Sequence, residues 1–201
     1  MHRRENRLLP TVKDAIDLYI QNRSAVLSPA SLRGYITMQQ NYFAEIEEIS
    51  IADLTNSDIQ KVINSIALTR SPKTVKNAAS LLISALRQAN PEKRYIFTLP
   101  KARAIERNIP DNEDIIKLLE ASRSNRNLYL AIILSALGTL RRGEVCAIKY
   151  EDILRDFNAI YIHSDVVKDH DNNWIYKDYA KNAQSTRQVI YPKEVIDLIG
   201  Q

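Results

Sequence analysis

Cysteine is almost absent from this 201-residue chain and glycine is scarce, at one and four residues respectively. A single cysteine, Cys146, excludes an internal disulfide and leaves no partner for a cysteine-based metal site. Its apolar neighbours Val145 and Ala147 point to a small buried side chain. Few glycines, ordinary hydrophobic content and 26% charged residues describe a soluble, helix-leaning globular protein. Long hydrophobic runs are missing as well. The longest, Leu128 to Leu140, is broken by Ser135 and Thr139 and falls far short of the roughly 20 residues of a membrane span. No charged-then-apolar leader opens the chain, so the expected setting is the cytoplasm, away from membranes.

The length suits two modest domains better than one. Charge divides the chain in the same way. Through Ile105 there are 15 Lys and Arg against 9 Asp and Glu, whereas the remainder has 13 against 15. The first half is therefore basic, which favours a polyanionic partner through phosphate contacts and counterion release.

Residues 1–10 are polar and aperiodic and read as a flexible N-terminus. Helix signals then follow in order. Thr11 with Asp14 makes a capping-box start for a helix over 12–23, with Val12, Ile16, Tyr19 and Ile20 on one face. Ser28-Pro29 opens a second helix, whose stripe is Leu32, Tyr35, Ile36, Tyr42 and Phe43. Thr55 with Asp58 opens a third, carrying Ile59, Val62, Ile63 and Ile66. Ser71-Pro72 opens a fourth, with Val75, Ala78, Ala79, Leu82 and Leu86 inward. These four amphipathic helices define a helical domain over 11–90.

The segment 91–109 has no helical periodicity and carries Lys93, Arg94, Lys101, Arg103 and Arg107, which reads as a basic interdomain linker able to follow a phosphate backbone. From 110 to 201 a second domain begins with a helix capped by Asp111 and Asn112, then an apolar, apparently buried helix over 127–137. Short strands follow around 158–163, 166–167, 174–176 and 187–191, with a hairpin turn at 169–173. A last helix starts at Pro192-Lys193-Glu194. The expected fold class is mainly α with a small β-sheet.

Arg141 and Arg142 directly follow the apolar helix. A guanidinium at the edge of a core needs a partner, and two are open on residue chemistry: a phosphate, which suits its planar paired donors, or an ion pair with Glu144 on the same short helix.

The segment Ala136-Leu-Gly-Thr-Leu-Arg-Arg-Gly-Glu-Val-Cys-Ala-Ile-Lys-Tyr-Glu-Asp-Ile153 resembles the first catalytic box of the tyrosine recombinases, the phage-integrase family. The resemblance implies that Arg141 grips the scissile phosphate and that Glu144 supports the active site. One departure is visible: many members place glycine directly before the Leu-Arg pair, whereas here Thr139 holds that position and Gly138 precedes it. Lys181-Asn-Ala-Gln-Ser-Thr-Arg-Gln-Val-Ile-Tyr-Pro192 is similar to the family's hairpin box. It implies Lys181 as general acid toward the departing 5′ oxygen, with Ser185 and Arg187 beside it.

The first domain resembles the family's core-binding domain, a four-helix SAM-like unit, through Leu27-Ser-Pro-Ala-Ser-Leu-Arg-Gly-Tyr35 and Ser71-Pro-Lys-Thr-Val-Lys-Asn77. The implied DNA contacts are Ser28, Ser31, Arg33, Ser71, Lys73, Thr74, Lys76, Asn77 and Arg187. Free N–H groups at helix starts attract phosphate oxygens, which agrees with that placement.

The resemblance covers about 11–199. It implies a partial α+β catalytic domain behind the core-binding domain, double-stranded DNA as partner, and chemistry that needs no metal or cofactor. The family's His-x-x-Arg box and tyrosine nucleophile are not found: His2, His163 and His170 are followed at the third position by Glu5, Val166 and Asn173. The expectation is therefore a recombinase truncated within its catalytic domain, binding DNA as a monomer and cleaving nothing, while the complete enzyme acts as a tetramer on DNA. The rival readings are a non-catalytic helical DNA-binding regulator and a helical protein-interaction scaffold.

Overall fold

The computed structural model describes residues 10–102, 108–178 and 185–199. Its contacts divide into two compact units, Met1–Ile105 and Glu106–Gln201.

The first unit is a helical bundle of α1 (Val12–Gln21), α2 (Pro29–Tyr42), α3 (Asn56–Thr69) and α4 (Pro72–Ala89). Its helix starts follow the sequence signals. Thr11 and Thr55 each form a reciprocal box with Asp14 and Asp58, and Ser28 and Ser71 accept the N–H groups of Ser31 and Thr74 ahead of Pro29 and Pro72. These bonds satisfy amides that a helix start would otherwise leave unpaired. The apolar stripes converge on one core that includes Ile16, Phe43, Leu54, Ile59, Ile63, Leu82 and Leu86. Helix α2 is peripheral: it has no fully buried residue, and Leu32, Tyr35 and Ile36 pack only partly against the core.

The segment after α4 departs from the linker reading. Tyr95 is buried in the first unit's core, Phe97 and Leu99 pack against it, and Ile96 between them is 73% exposed. The alternation has period two, that of an extended strap rather than a helix. Asn56 and Gln60 of α3 bind the strap's backbone at Ile96 and Thr98. Lys93, expected to face a phosphate, donates instead to the carbonyls of Ile51 and Ala52. Arg103 and Arg107 lie outside the described residues.

Among the described residues the second unit contains α5 (Asn112–Ser122), α6 (Arg126–Gly138), α7 (Arg142–Ala147), five short strands and α8 (Lys193–Ile199). Strands β1 (Ile153–Leu154), β2 (Ala159–Ile162) and β5 (Arg187–Ile190) form an antiparallel sheet in the order β1-β2-β5, and β3 (Asp165–Lys168) pairs with β4 (Trp174–Lys177) as a separate hairpin. The core joins Leu134, Leu140, Ile160, Ile162, Tyr191, Val195 and Ile196. Helix α6 is less buried than its composition implies: Leu134 and Gly138 are inside, while Leu128 and Leu137 are about half exposed. Leu130, Ala131, Ile132 and Ser135 of α6 line two grooves. Cys146 is likewise exposed, a correction with a simple cause. Glu144 and Ala147, three residues apart, take the inward face of α7, and Cys146 lies off it.

Candidate active site around Glu144

Arg141 is the N-cap of α7, in extended conformation after Thr139 and Leu140. Thr139 caps α6 with φ of 52°, a left-handed conformation that is uncommon for a β-branched residue. Leu140 is buried and anchors the elbow between α6 and α7. At that elbow the third helical residue, Glu144, turns back: one carboxylate oxygen accepts the Arg141 N–H at 3.0 Å and the other accepts its Nη1 at 2.6 Å. A second guanidinium comes from β5, where Arg187 donates Nη2 to Glu144 at 3.0 Å and Nη1 at 3.5 Å. Arg187 Nη1 also reaches the Ser185 carbonyl at 3.0 Å.

Glu144 is thus a buried carboxylate, 5% exposed, held between two arginines of which Arg141 is 67% and Arg187 30% exposed. Burial alone pushes its carboxyl up. The hydrogen bonds from Arg187, then from the Arg141 backbone and guanidinium, outweigh burial and hold it below the ordinary glutamate value. One negative charge cannot neutralise two guanidinium groups. The cluster retains net positive charge, and its most exposed member is Arg141. An outward guanidinium whose base is fixed by a buried carboxylate is preorganised for an external oxyanion. The ion pair anticipated as the alternative to phosphate binding is therefore present and is compatible with it.

Gly143, next to the cluster, lets α7 meet β3 closely. A Cβ there would collide with the Asp165 carboxylate and lie 2.8 Å from the Val166 carbonyl oxygen. Just past the other end of α7, Lys149 Nζ lies 4.4 Å from the centre of the Tyr176 ring on β4, and side-chain hydrogen bonding to Tyr176, then to Glu151, raises its ammonium pKa against the effect of burial. Lys181, the candidate general acid, lies outside the described residues.

Sequence reasoning missed His163. Its Nε2 is 2.9 Å from Oδ1 of buried Asp152, whose other oxygen accepts the Lys149 N–H at 2.8 Å. The Tyr161 ring stacks on the imidazole at 5.1 Å. The acidic turn at the end of the first box was the available signal, since a buried carboxylate there requires a partner. Tyr191 is no nucleophile candidate: burial raises its hydroxyl to about 12, and that hydroxyl donates to the Leu134 carbonyl at 3.0 Å. Among the described residues no group of three His, Cys, Asp or Glu side chains is placed to hold a metal, and no helix is long and apolar enough to cross a membrane.

In the first unit, the DNA-contact candidates form two clusters. Ser28 and Ser31 hydroxyls bond each other at 2.9 Å, as do Ser71 and Thr74 at 3.0 Å, so all four serve the caps that Ser28 and Ser71 form. Lys73, Lys76 and Asn77 are exposed on the first turns of α4, whereas Arg33 is half-buried and engaged. The two clusters lie at opposite ends of the bundle. Arg23, in the turn between α1 and α2, donates to Gln88 near the end of α4 at 2.7 Å, while Arg70, just ahead of α4, lies 5.8 Å from the ring centre of Tyr42 at the end of α2.

No family model and no curated protein matches the sequence. Solved structures do match. The chain is similar to the Tn1549 transposon integrase in complex with transposon right end DNA, with a TM-score of 0.77 and 16% identity over 94% of this chain and 64% of that one. It is also similar to a lambda integrase dimer bound to a COC′ core site, with a TM-score of 0.66 and 20% identity over 93% of this chain and 68% of that one. A lambda integrase tetramer bound to a Holliday junction matches with a TM-score of 0.60 and 19% identity, over 95% of this chain and 54% of that one.

The chain has the tyrosine recombinase fold. It spans less than two thirds of the Tn1549 integrase chain. Arg141, Glu144 and Arg187, drawn from the two sequence segments that resemble the family's boxes, are brought together among the described residues.

Proposed function

We propose that this chain is the DNA-binding and phosphate-gripping part of a site-specific DNA recombinase or integrase of a mobile element, acting in the cytoplasm. The observation that carries the reading is the cluster in which buried Glu144 holds Arg141 and Arg187, with the Arg141 guanidinium facing outward, in a chain of tyrosine recombinase fold. Residues 11–90 serve as the core-binding domain and 110–201 as the first part of the catalytic domain, with the duplex contacted through Ser28, Ser31, Arg33, Ser71, Lys73, Thr74, Lys76, Asn77 and Arg187.

In the complete reaction a tyrosine hydroxyl attacks the scissile phosphorus, forms a 3′-phosphotyrosine and releases a 5′ hydroxyl. Arg141 stabilises the charge that develops on the phosphoryl oxygens, Glu144 orients the arginines, and Lys181 protonates the departing oxygen. The complete enzyme works as a tetramer on DNA.

The test is a salt titration of binding to a short duplex. Affinity should fall linearly on logarithmic axes as salt rises, and Arg141→Ala should reduce the slope by about 1. Absence of duplex affinity at low salt would contradict the reading.

A further inference from the structure

Strand β5 meets the α6–α7 elbow at two points. Arg187, Val189 and Tyr191 share one face by strand alternation, while Gln188 and Ile190 point away and are exposed. At one end of that face Arg187 reaches Glu144; at the other the Tyr191 ring enters the core beside the last turn of α6 and its hydroxyl donates to the Leu134 carbonyl. The ring fits there because residue 138 is glycine. A Cβ on Gly138 would collide with the Tyr191 hydroxyl and lie 2.6 Å from Cζ, and Tyr191, 3% exposed, has nowhere to retreat.

The placement of that glycine is informative. Left-handed backbone at a helix end favours glycine, yet the left-handed residue is Thr139. Glycine stands one position earlier, in regular helix, where the backbone gains nothing from it. Backbone conformation therefore does not account for Gly138, whereas the Tyr191 ring does. This also explains why the glycine precedes Thr139 instead of directly preceding the Leu140-Arg141 pair.

We infer that Tyr191 and Gly138 are positioning residues for the arginine cluster: the Tyr191 side chain, seated in the space left by Gly138, locks β5 to the end of α6 and so sets where Arg187 meets Glu144. The consequence for phosphate binding rests on the recombinase reading; the latch itself does not.

The experiment follows the Glu144 side-chain carboxyl by 13C NMR across pH in the full chain without DNA, with the resonance assigned through Glu144→Gln. In the unsubstituted chain Glu144 should titrate below the ordinary glutamate value, since its hydrogen bonds from the two arginines outweigh burial. Gly138→Ala should raise that midpoint by about one pH unit as Arg187 loses its alignment, and Tyr191→Phe, which keeps the ring and removes the hydroxyl, should raise it by less. Thr139→Gly relieves the left-handed threonine and should raise the melting temperature while leaving the midpoint unchanged. If Gly138→Ala does not fold, Tyr191→Phe decides alone. A lowered melting temperature with an unmoved Glu144 midpoint in Tyr191→Phe would overturn the latch and leave a merely structural contact. Because no DNA is present, that failure is distinct from a failure of the recombinase reading, which would appear as absent duplex affinity with the latch intact.

Discussion

The two units are of similar length and differ in what holds them together. Among the described residues, 21 buried side chains form the core of the first unit and seven form that of the second. The first unit relies on apolar burial closed by helix caps. The second adds buried polar links: Glu144 between two arginines, His163 on Asp152, and Tyr191 on the Leu134 carbonyl. Two open grooves of about 510 and 460 Å³ flank α7 in that second unit, both bordered by Val145 and Cys146. A unit organised around charge is easier to disturb by charge and better suited to meet a charged ligand.

The comparison breaks first where packing dominates. Leu82 is fully buried on α4, and Leu82→Ala should lower first-unit stability by about 3 kcal/mol, read as faster hydrogen exchange of α3 and α4 amides with α7 unchanged. Glu144→Gln should act on the other side, exposing α7 and β5 amides at a cost of about 2 kcal/mol. Two guanidinium groups then lose their carboxylate, and the exposure of Arg141 keeps the loss below that of a fully buried pair.

Acid sharpens the contrast. The folded Glu144 carboxyl lies below the ordinary 4.5, and Asp14 and Asp58, which close the capping boxes of α1 and α3, lie below 3.8 through their hydrogen bonds to Thr11 and Thr55. A depressed carboxyl contributes stability above its unfolded value, and this is lost as pH falls through the folded value. The loss begins at the unfolded value, which is 4.5 for Glu144 and 3.8 for Asp14 and Asp58, so on acidification the second unit should begin to loosen at higher pH than the first, visible as exchange of α7 amides before α1 and α3 amides. The smallest effect is expected at Cys146, where Cys146→Ser should change stability by less than about 0.5 kcal/mol and the native thiol should react with a thiol reagent without unfolding.

Local chemistry was legible in the sequence. The caps at Thr11, Ser28, Thr55, Ser71 and Asp111 marked their helix starts because each satisfies its own first turn. The strands at 159–162 and 187–190 were also readable, whereas β1, two residues long, carries no pattern. The strap from Tyr95 to Leu99 reads as linker in the sequence because its period is two and only its partner, α3, makes that period meaningful. At the site, the pairing of Arg141 with Glu144 follows from their spacing on one helix. Arg187 joins them across 43 residues through sheet pairing, and the lodging of Tyr191 against Gly138 needs the folded core.

The central claim is that the outward guanidinium of Arg141 receives a DNA phosphate while Glu144 and Arg187 stay paired beneath it. The most direct measurement follows the arginine side-chain N–H resonances by 15N NMR as a short duplex is added. The account predicts that the Arg141 resonance shifts and saturates with binding while the Arg187 contact to Glu144 persists. Duplex binding that saturates with the Arg141 resonance unmoved would contradict it.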